Sequence, residues 1–450
     1  MKIIVGGAGH VGRSIVDYLS QANNDIVVVD MDRNKLDAVA KEFDVQTFQG
    51  SISHPGVMEK INAKDADILI AVTDNDEINL VACQVAYTLF QIPRKIARVD
   101  SEYFLNPLWN TLYSDRNLPV DFVISPDVEI AESILNLLRF PGTTAVFPLV
   151  NEKLYLVGFK CGENCSLLNM DINTIRHNYN SPIIHIIRQN KSFFAKPTES
   201  IHLNDEIFVL VEKDKIFDTL HDFGIAADQI NNLVIFGGNA ISYYIAHTLE
   251  KNETIDNCKI IEGTTHMADD YAAELNYTRI IRGEMMSDVI LDEAEIKNAN
   301  MSISVTENDK DNLLASLIAQ RSGVPYTLSL VNSRAFDSLI KDDGNNIIVD
   351  RSLVTTSAML QELRRAKINN AHCLRRGMGE VWEVRIDKDS LNTDKTIDEL
   401  GLPERCKVSA IYRHENIIYP SATDKIEEGD ILIVFVSPQS MRKAEEIFRV

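Results

Sequence analysis

Apolar residues in this chain fall into short runs, separated by stretches where they recur every three or four positions. Ile3-Ile4-Val5 is followed by Val11, Ile15, Tyr18 and Leu19, and then by Ile26-Val27-Val28-Val29. Such runs read as buried parallel strands, and the three-and-four spacing reads as helices packed on them. The alternation continues with a helix over 35–43, a strand over 45–48, a helix over 55–61 and a strand over 67–72. A helix over 78–90, strands over 95–99 and 120–124, and a helix over 127–138 complete the series. Strands alternating with helices predict a doubly wound parallel sheet of the Rossmann type.

At Pro141-Gly142 the helical pattern stops. Short alternating strands follow over 145–150, 154–160, 183–188 and 206–211, closed by a helix over 213–223. This predicts a small α+β domain. The whole arrangement then recurs. Leu233-Val-Ile-Phe236 runs into Gly237-Gly-Asn-Ala-Ile-Ser242, 230 residues after Gly7. Lys259-Ile-Ile-Glu262 repeats a strand ending in an acid, 232 residues after Asp30. Ser302 to Leu313 aligns with Leu69 to Leu80 at an offset of 233. The helix over 357–364 and the strand at Asp430 match earlier elements at 225. Chance does not supply so many matches in one order. The expected fold is therefore α/β, with two Rossmann lobes, each followed by a small α+β domain. Their limits are 1–140, 141–225, 230–366 and 367–450.

The first turn carries the chemistry. Gly7-x-Gly9-x-x-Gly12 lies between a strand and a helix, the setting a dinucleotide fingerprint requires. Gly7 permits the tight turn, Gly9 lets backbone approach a phosphate, and Gly12 lets the helix pack closely. The helix N-terminus then offers unpaired N–H groups to that phosphate. Asp30, at the end of the second strand, suits ribose hydroxyls and repels a 2′-phosphate, which favours NAD or an adenosine nucleotide over NADP. Thr73-Asp74-Asn75-Asp76-Glu77 follows the fourth strand, at the strand end where open α/β sheets bind ligands. Arg98, inside an apolar strand, is a candidate phosphate contact. Arg13 is either a second one or an ordinary surface residue. Asp74, Asp76 and Glu77 could hold a cation, or form a solvated loop with a helix cap. The second copy is degraded: Asn239 replaces Gly9, Ser242 replaces Gly12, and Arg98 has no basic counterpart in Leu328-Ser-Leu-Val331. That site is either vestigial or an altered binder.

Composition narrows the reading. The formal charge of −21 opposes binding to nucleic acid or to anionic lipid, so any membrane association must go through another protein. No apolar run approaches the ~18 residues that span a bilayer. The chain enters its first strand at once, leaving no room for a signal peptide. The six cysteines lack zinc-ligand spacing and read as reduced, mostly buried thiols. His177, His185 and His202 have no acid–base constellation around them, and no nucleophile or metal motif stands out. The pattern points to nucleotide sensing rather than turnover, with an NAD-dependent oxidoreductase as the competing reading.

Several stretches together, Gly7 to Gly12, Ala71-Val-Thr-Asp-x-Asp-Glu77-x-Asn-Leu, Lys95-Ile-Ala-Arg-Val99 and Ile124-Ser-Pro126, followed by a small domain and a full repeat, resemble the TrkA family. These are regulatory subunits of Trk potassium-uptake systems, built from tandem regulator-of-potassium-conductance units. The resemblance covers essentially the whole chain. It implies a cytoplasmic protein, peripheral on the inner face of a bacterial membrane. It also implies a ring, a homotetramer, beneath an integral-membrane Trk potassium channel subunit that it gates in response to NAD(H) and to ATP or ADP. A nucleotide sensor attached to another cation transporter is the nearest alternative. The nucleotide contacts carried over are Gly7, Ala8, Gly9, His10, Val11 and Gly12, with Asp30, Thr73, Asp74 and Arg98. In the second copy they are Gly237, Gly238, Asn239, Ala240 and Ile241, with Glu262, Thr306 and Glu307. Asp100 stands where the family often has a second arginine, which disfavours tight binding of a triphosphate.

Overall fold

The computed structural model describes the whole chain except residues 21–23, 106, 115, 180–181, 190, 228, 264–273, 333–344, 364–367, 375–378 and 449–450. The expected helix end at Arg364 and the domain limit at 366–367 lie outside the described residues.

The first sheet is formed by β1 (Lys2–Gly6), β2 (Asp25–Asp30), β3 (Gln46–Gln49), β4 (Ile68–Ala71), β5 (Arg94–Arg98) and β6 (Phe122–Ile124). Its order is β3-β2-β1-β4-β5-β6, and every pair is parallel. Connections run outward on one side from β1 and on the other from β4, so the order reverses between these two strands. The strands are apolar on both faces because both faces are covered. On one face Ile3, Val5, Val28 and Ile70 pack with Val11, Ile15 and Leu19 of helix His10–Ser20. On the other, Ile4, Val27, Val29 and Leu69 pack with Met58, Leu80 and Cys83.

The small antiparallel sheet that follows comprises β7 (Ala145–Leu149), β8 (Leu154–Lys160), β9 (Ile183–Arg188), β10 (Lys191–Phe194) and β11 (Glu206–Glu212). Its order is β10-β9-β11-β8-β7. The second parallel sheet, β12 (Asn232–Phe236), β13 (Asn257–Glu262), β14 (Arg279–Arg282), β15 (Met301–Ser304), β16 (Tyr326–Val331) and β17 (Asn346–Asp350), has the order β14-β13-β12-β15-β16-β17. That is the first sheet over again. The last sheet, β18 (Ile368–Cys373), β19 (Glu380–Arg385), β20 (Cys406–Arg413), β21 (Asn416–Ile418) and β22 (Ile431–Val436), repeats the order of the first small sheet. All six cysteines are free and buried. Among the described residues no helix is long and apolar enough to cross a membrane.

Chain order and packing differ in one respect. The described chain forms two compact units, one of Met1–Glu129, Ser352–Val408 and Pro420–Val450, the other of Ile130–Arg351 and Ser409–Tyr419. The second parallel sheet thus shares its unit with the whole first small sheet, and the first parallel sheet shares its unit with β18, β19 and β22 of the last one. The division falls within helix Pro126–Arg139 and within helix Arg351–Leu363. In the first unit Ala358 and Met359 of the latter helix join the core of the β1–β6 sheet. In the second unit Tyr244 donates to Glu132 of the former at 2.8 Å. A helical period shows which face of a helix is apolar, but not which sheet receives it.

Candidate nucleotide site

The register aligns Gly6 with Val29 and with Ala71, and Ala71 with Ala97. The residues that follow these positions therefore meet at one edge, the C-terminal ends of parallel strands at the point where their order reverses. Gly7, Asp30, Thr73 and Arg98 are brought together there, as open α/β folds place ligands. Gly7 has φ +113°, and a Cβ on it would lie 2.7 Å from the Val72 carbonyl oxygen, so only glycine makes this turn. A Cβ on Gly12 would lie 1.9 Å from the Gly7 carbonyl oxygen, which fixes the helix against the turn. A Cβ on Gly9 would meet nothing within 4 Å. Gly9 faces open space beside the first turn of the helix, whose N–H groups have no intrahelical acceptor.

Asp30 is tied to the turn it faces. Its carboxylate accepts from Ala8 N at 2.6 Å and from Asp32 N at 2.7 Å, which sets the side chain at the mouth of the crevice. His10 and Asp74 are exposed, while Val11 is buried in the core and can offer a ligand only its backbone. Arg98 donates to both Asp100 oxygens, at 3.1 and 2.5 Å. Burial opposes its charge, but Asp100, with Asp127 and Asp76 behind it, more than compensates, so its pKa lies above the usual guanidinium value. Asp100 therefore acts through the neighbouring arginine as well as by its own charge. Arg13 forms an exposed ion pair with Glu42.

The acidic loop has a structural task. Asp76 accepts from Asp100 N at 3.0 Å and Ser101 N at 2.9 Å, and Asn75 caps helix Asp76–Val85 by accepting from Ile78 N at 2.7 Å. No group of three or more metal-binding side chains occurs among the described residues. A residue not foreseen from sequence holds this edge together. Asn79, with no exposed surface, accepts from Thr73 N at 2.9 Å and from its hydroxyl at 2.7 Å. It donates to the carbonyls of Thr73 at 3.1 Å and Arg98 at 2.9 Å, stitching the ends of β4 and β5. The available signal was an amide on the apolar side of a helix, present at the same place in both copies.

The second edge repeats the plan with altered parts. Gly237 has φ +106°, and Gly238 N donates to Glu262 at 2.5 Å, as Ala8 does to Asp30. Asn312 copies Asn79, accepting from Thr306 N and Oγ1 at 2.7 Å each and donating to the Leu330 carbonyl at 2.9 Å. Ile241 is buried, and Ala240 lies half-buried at the start of helix Ala240–Asn252. Glu307 is exposed and pairs with Arg351 at 3.8 Å, a cation at this edge that strand matching alone did not reveal. Asn239 caps the helix through a reciprocal pair of bonds with Ser242. The Ser242 side chain is fully buried and bonded within that cap.

Fold and edge together define a tandem Rossmann protein. The TrkA-N domain model matches residues 3–126 and 233–350, and the TrkA-C domain model matches 381–449. The Trk system potassium uptake protein TrkA of Halomonas elongata is 30% identical over 457 residues, spanning 100% of this chain and 99% of its own. That of Azorhizobium caulinodans is 29% identical over 453 residues, with the same coverage. The GsuK channel bound to NAD superposes with a TM-score of 0.62 at 16% identity, over 99% of this chain and 78% of its own. The chain belongs to the TrkA family.

Proposed function

We propose that this chain is a regulatory subunit of potassium uptake that binds NAD(H) or an adenine nucleotide at the first parallel sheet. The ligand would rest on Gly7, Ala8, Gly9, His10, Val11 and Gly12, with Asp30 at its ribose and Thr73, Asp74 and Arg98 along the opposite wall. The observation that carries this reading is the open approach at Gly9 facing a carboxylate already oriented by Ala8 N–H. Family membership supports the potassium role, and the NAD-bound GsuK channel supports the class of ligand. The domain limits we propose are 1–140, 141–225, 230–366 and 367–450.

The nucleotide acts as a signal, not a reagent. Ligands that bridge the two walls differently favour different shapes of the assembly, and only such differential affinity can shift an equilibrium. A coupling of ~1–3 kcal/mol per site, summed over a ring such as a homotetramer, suffices to gate a Trk-type integral-membrane potassium channel from the cytoplasmic face of the inner membrane. Titration calorimetry with NADH, ADP and ATP tests the site, with G9W as the blocked control. Potassium uptake in cells lacking the chain tests the role. Absence of binding, or steady oxidation of NADH with a metabolite, would overturn the reading.

A further inference from the structure

We propose that Asn239 closes the second Rossmann lobe to phosphate, so that a phosphate-bearing nucleotide enters this chain through the first lobe alone; the inference rests on the nucleotide reading of that first lobe. The two turns share their backbone plan but differ at the position where a phosphate would lie. At Gly9 there is only open space. At the corresponding place, the Asn239 carboxamide reaches across the crevice and donates to the Val305 carbonyl at 2.5 Å. Val305 corresponds to Val72, so this bond joins the walls that flank the reversal of strand order. The amide oxygen accepts from Ser242 N at 3.2 Å. The Ser242 hydroxyl accepts from Asn239 N and donates to Asn239 O, both at 2.8 Å.

A phosphate needs free N–H donors at a helix N-terminus. Here the donors of Asn239 and Ser242 are already satisfied within the chain, and the amide fills the space the anion would take. Glu262 does not separate the lobes, because it accepts from Gly238 N just as Asp30 accepts from Ala8 N. At the turn itself, apart from the missing counterpart of Arg98 on the opposite wall, the difference lies in one side chain and its cap. An arriving phosphate would have to displace the bond to Val305 and both bonds of the capping box, whereas at Gly9 it displaces water.

The full chain provides the test, with ADP as the probe and calorimetry counting sites per chain. Wild type is expected to show one site. N239G/S242G, which restores both glycines, is expected to show one more site than wild type. The reciprocal variant G9N, which transplants the amide into the first turn, is expected to weaken first-lobe binding by roughly tenfold or more. Melting curves verify that each variant is folded, and G9N keeps the proposal testable if the double variant is not. Two sites in wild type would overturn the inference and leave the nucleotide reading standing. An unchanged count in folded N239G/S242G, or undiminished affinity in G9N, would also overturn it. A site that appears only in N239G/S242G would refute the first-lobe reading and with it entry through that lobe, leaving only the closure of the second lobe by Asn239 supported.

Discussion

Replacing Asn79 with alanine probes the edge on which both the fold and the proposed site depend. The substitution removes four hydrogen bonds made by one fully buried amide. The Thr73 hydroxyl can turn elsewhere, since it also reaches the Asn75 carbonyl at 3.2 Å. The Thr73 carbonyl, at a half-buried loop position, can turn to water, which leaves the Thr73 N–H and the Arg98 carbonyl. Each buried polar group left without a partner costs ~1–3 kcal/mol, so the pair costs ~2–6 kcal/mol. A chain of several domains does not melt in one step, so the loss is best read locally. Hydrogen exchange of the β4 and β5 amides should accelerate by at least roughly thirtyfold, the factor that corresponds to the lower bound. N312A should do the same to β15 and β16 through the equivalent bonds. A change of less than ~1 kcal/mol in both variants would refute the reasoning, because it would mean that water or a neighbour satisfies these groups at no cost.

Three further outcomes are expected. G12A should sharply destabilise the first sheet, because its Cβ would lie 1.9 Å from the Gly7 carbonyl oxygen; G9A, which meets nothing within 4 Å, should leave melting unchanged and weaken nucleotide binding only. D100N should raise affinity for ATP by roughly threefold in calorimetry, since the partly exposed Asp100 no longer competes for Arg98. Burial pushes the Glu380 carboxyl up to about 8, against the hydrogen bond from Trp382, with Glu445 adding to the rise. The folded state then holds a proton that the unfolded state has released. Stability from this group is complete below the unfolded value of ~4.3 and is lost as pH rises towards 8. Urea titrations across that window should show the decline in wild type and a flatter profile in E380Q.

Much of the scaffold was legible because parallel strands buried on both faces leave unbroken apolar runs. Ile26 to Val29 and Ile68 to Ala71 needed no tertiary information. The glycine turn and Asp30 were legible because each has a steric or chemical requirement that few residue types meet. The small domains were harder. Helix Ile172–Tyr179 buries only Ile172 and Ile175, and β10 is an edge strand of partly covered residues, so neither imprints a period. Asn79 and Asn312 gave only an indirect signal: a buried amide among apolar neighbours looks like a misplaced surface residue until its four partners are seen. In the sequence Asn239 and Ser242 read only as lost glycines; that they form a capping box, with the Asn239 amide turned to the Val305 carbonyl 66 positions away, shows only in the folded chain.

The exchange of closing helices makes the two copies inseparable as stretches of chain. Residues 1–225 contain every strand of the first parallel sheet but neither Ala358 nor Met359, which wall one side of its core. Expressed alone, that half would carry a bare apolar face and would be driven to aggregate or to recruit a surrogate helix. The second copy is thus no spare part, since shedding it would strip a wall from the sheet that stays.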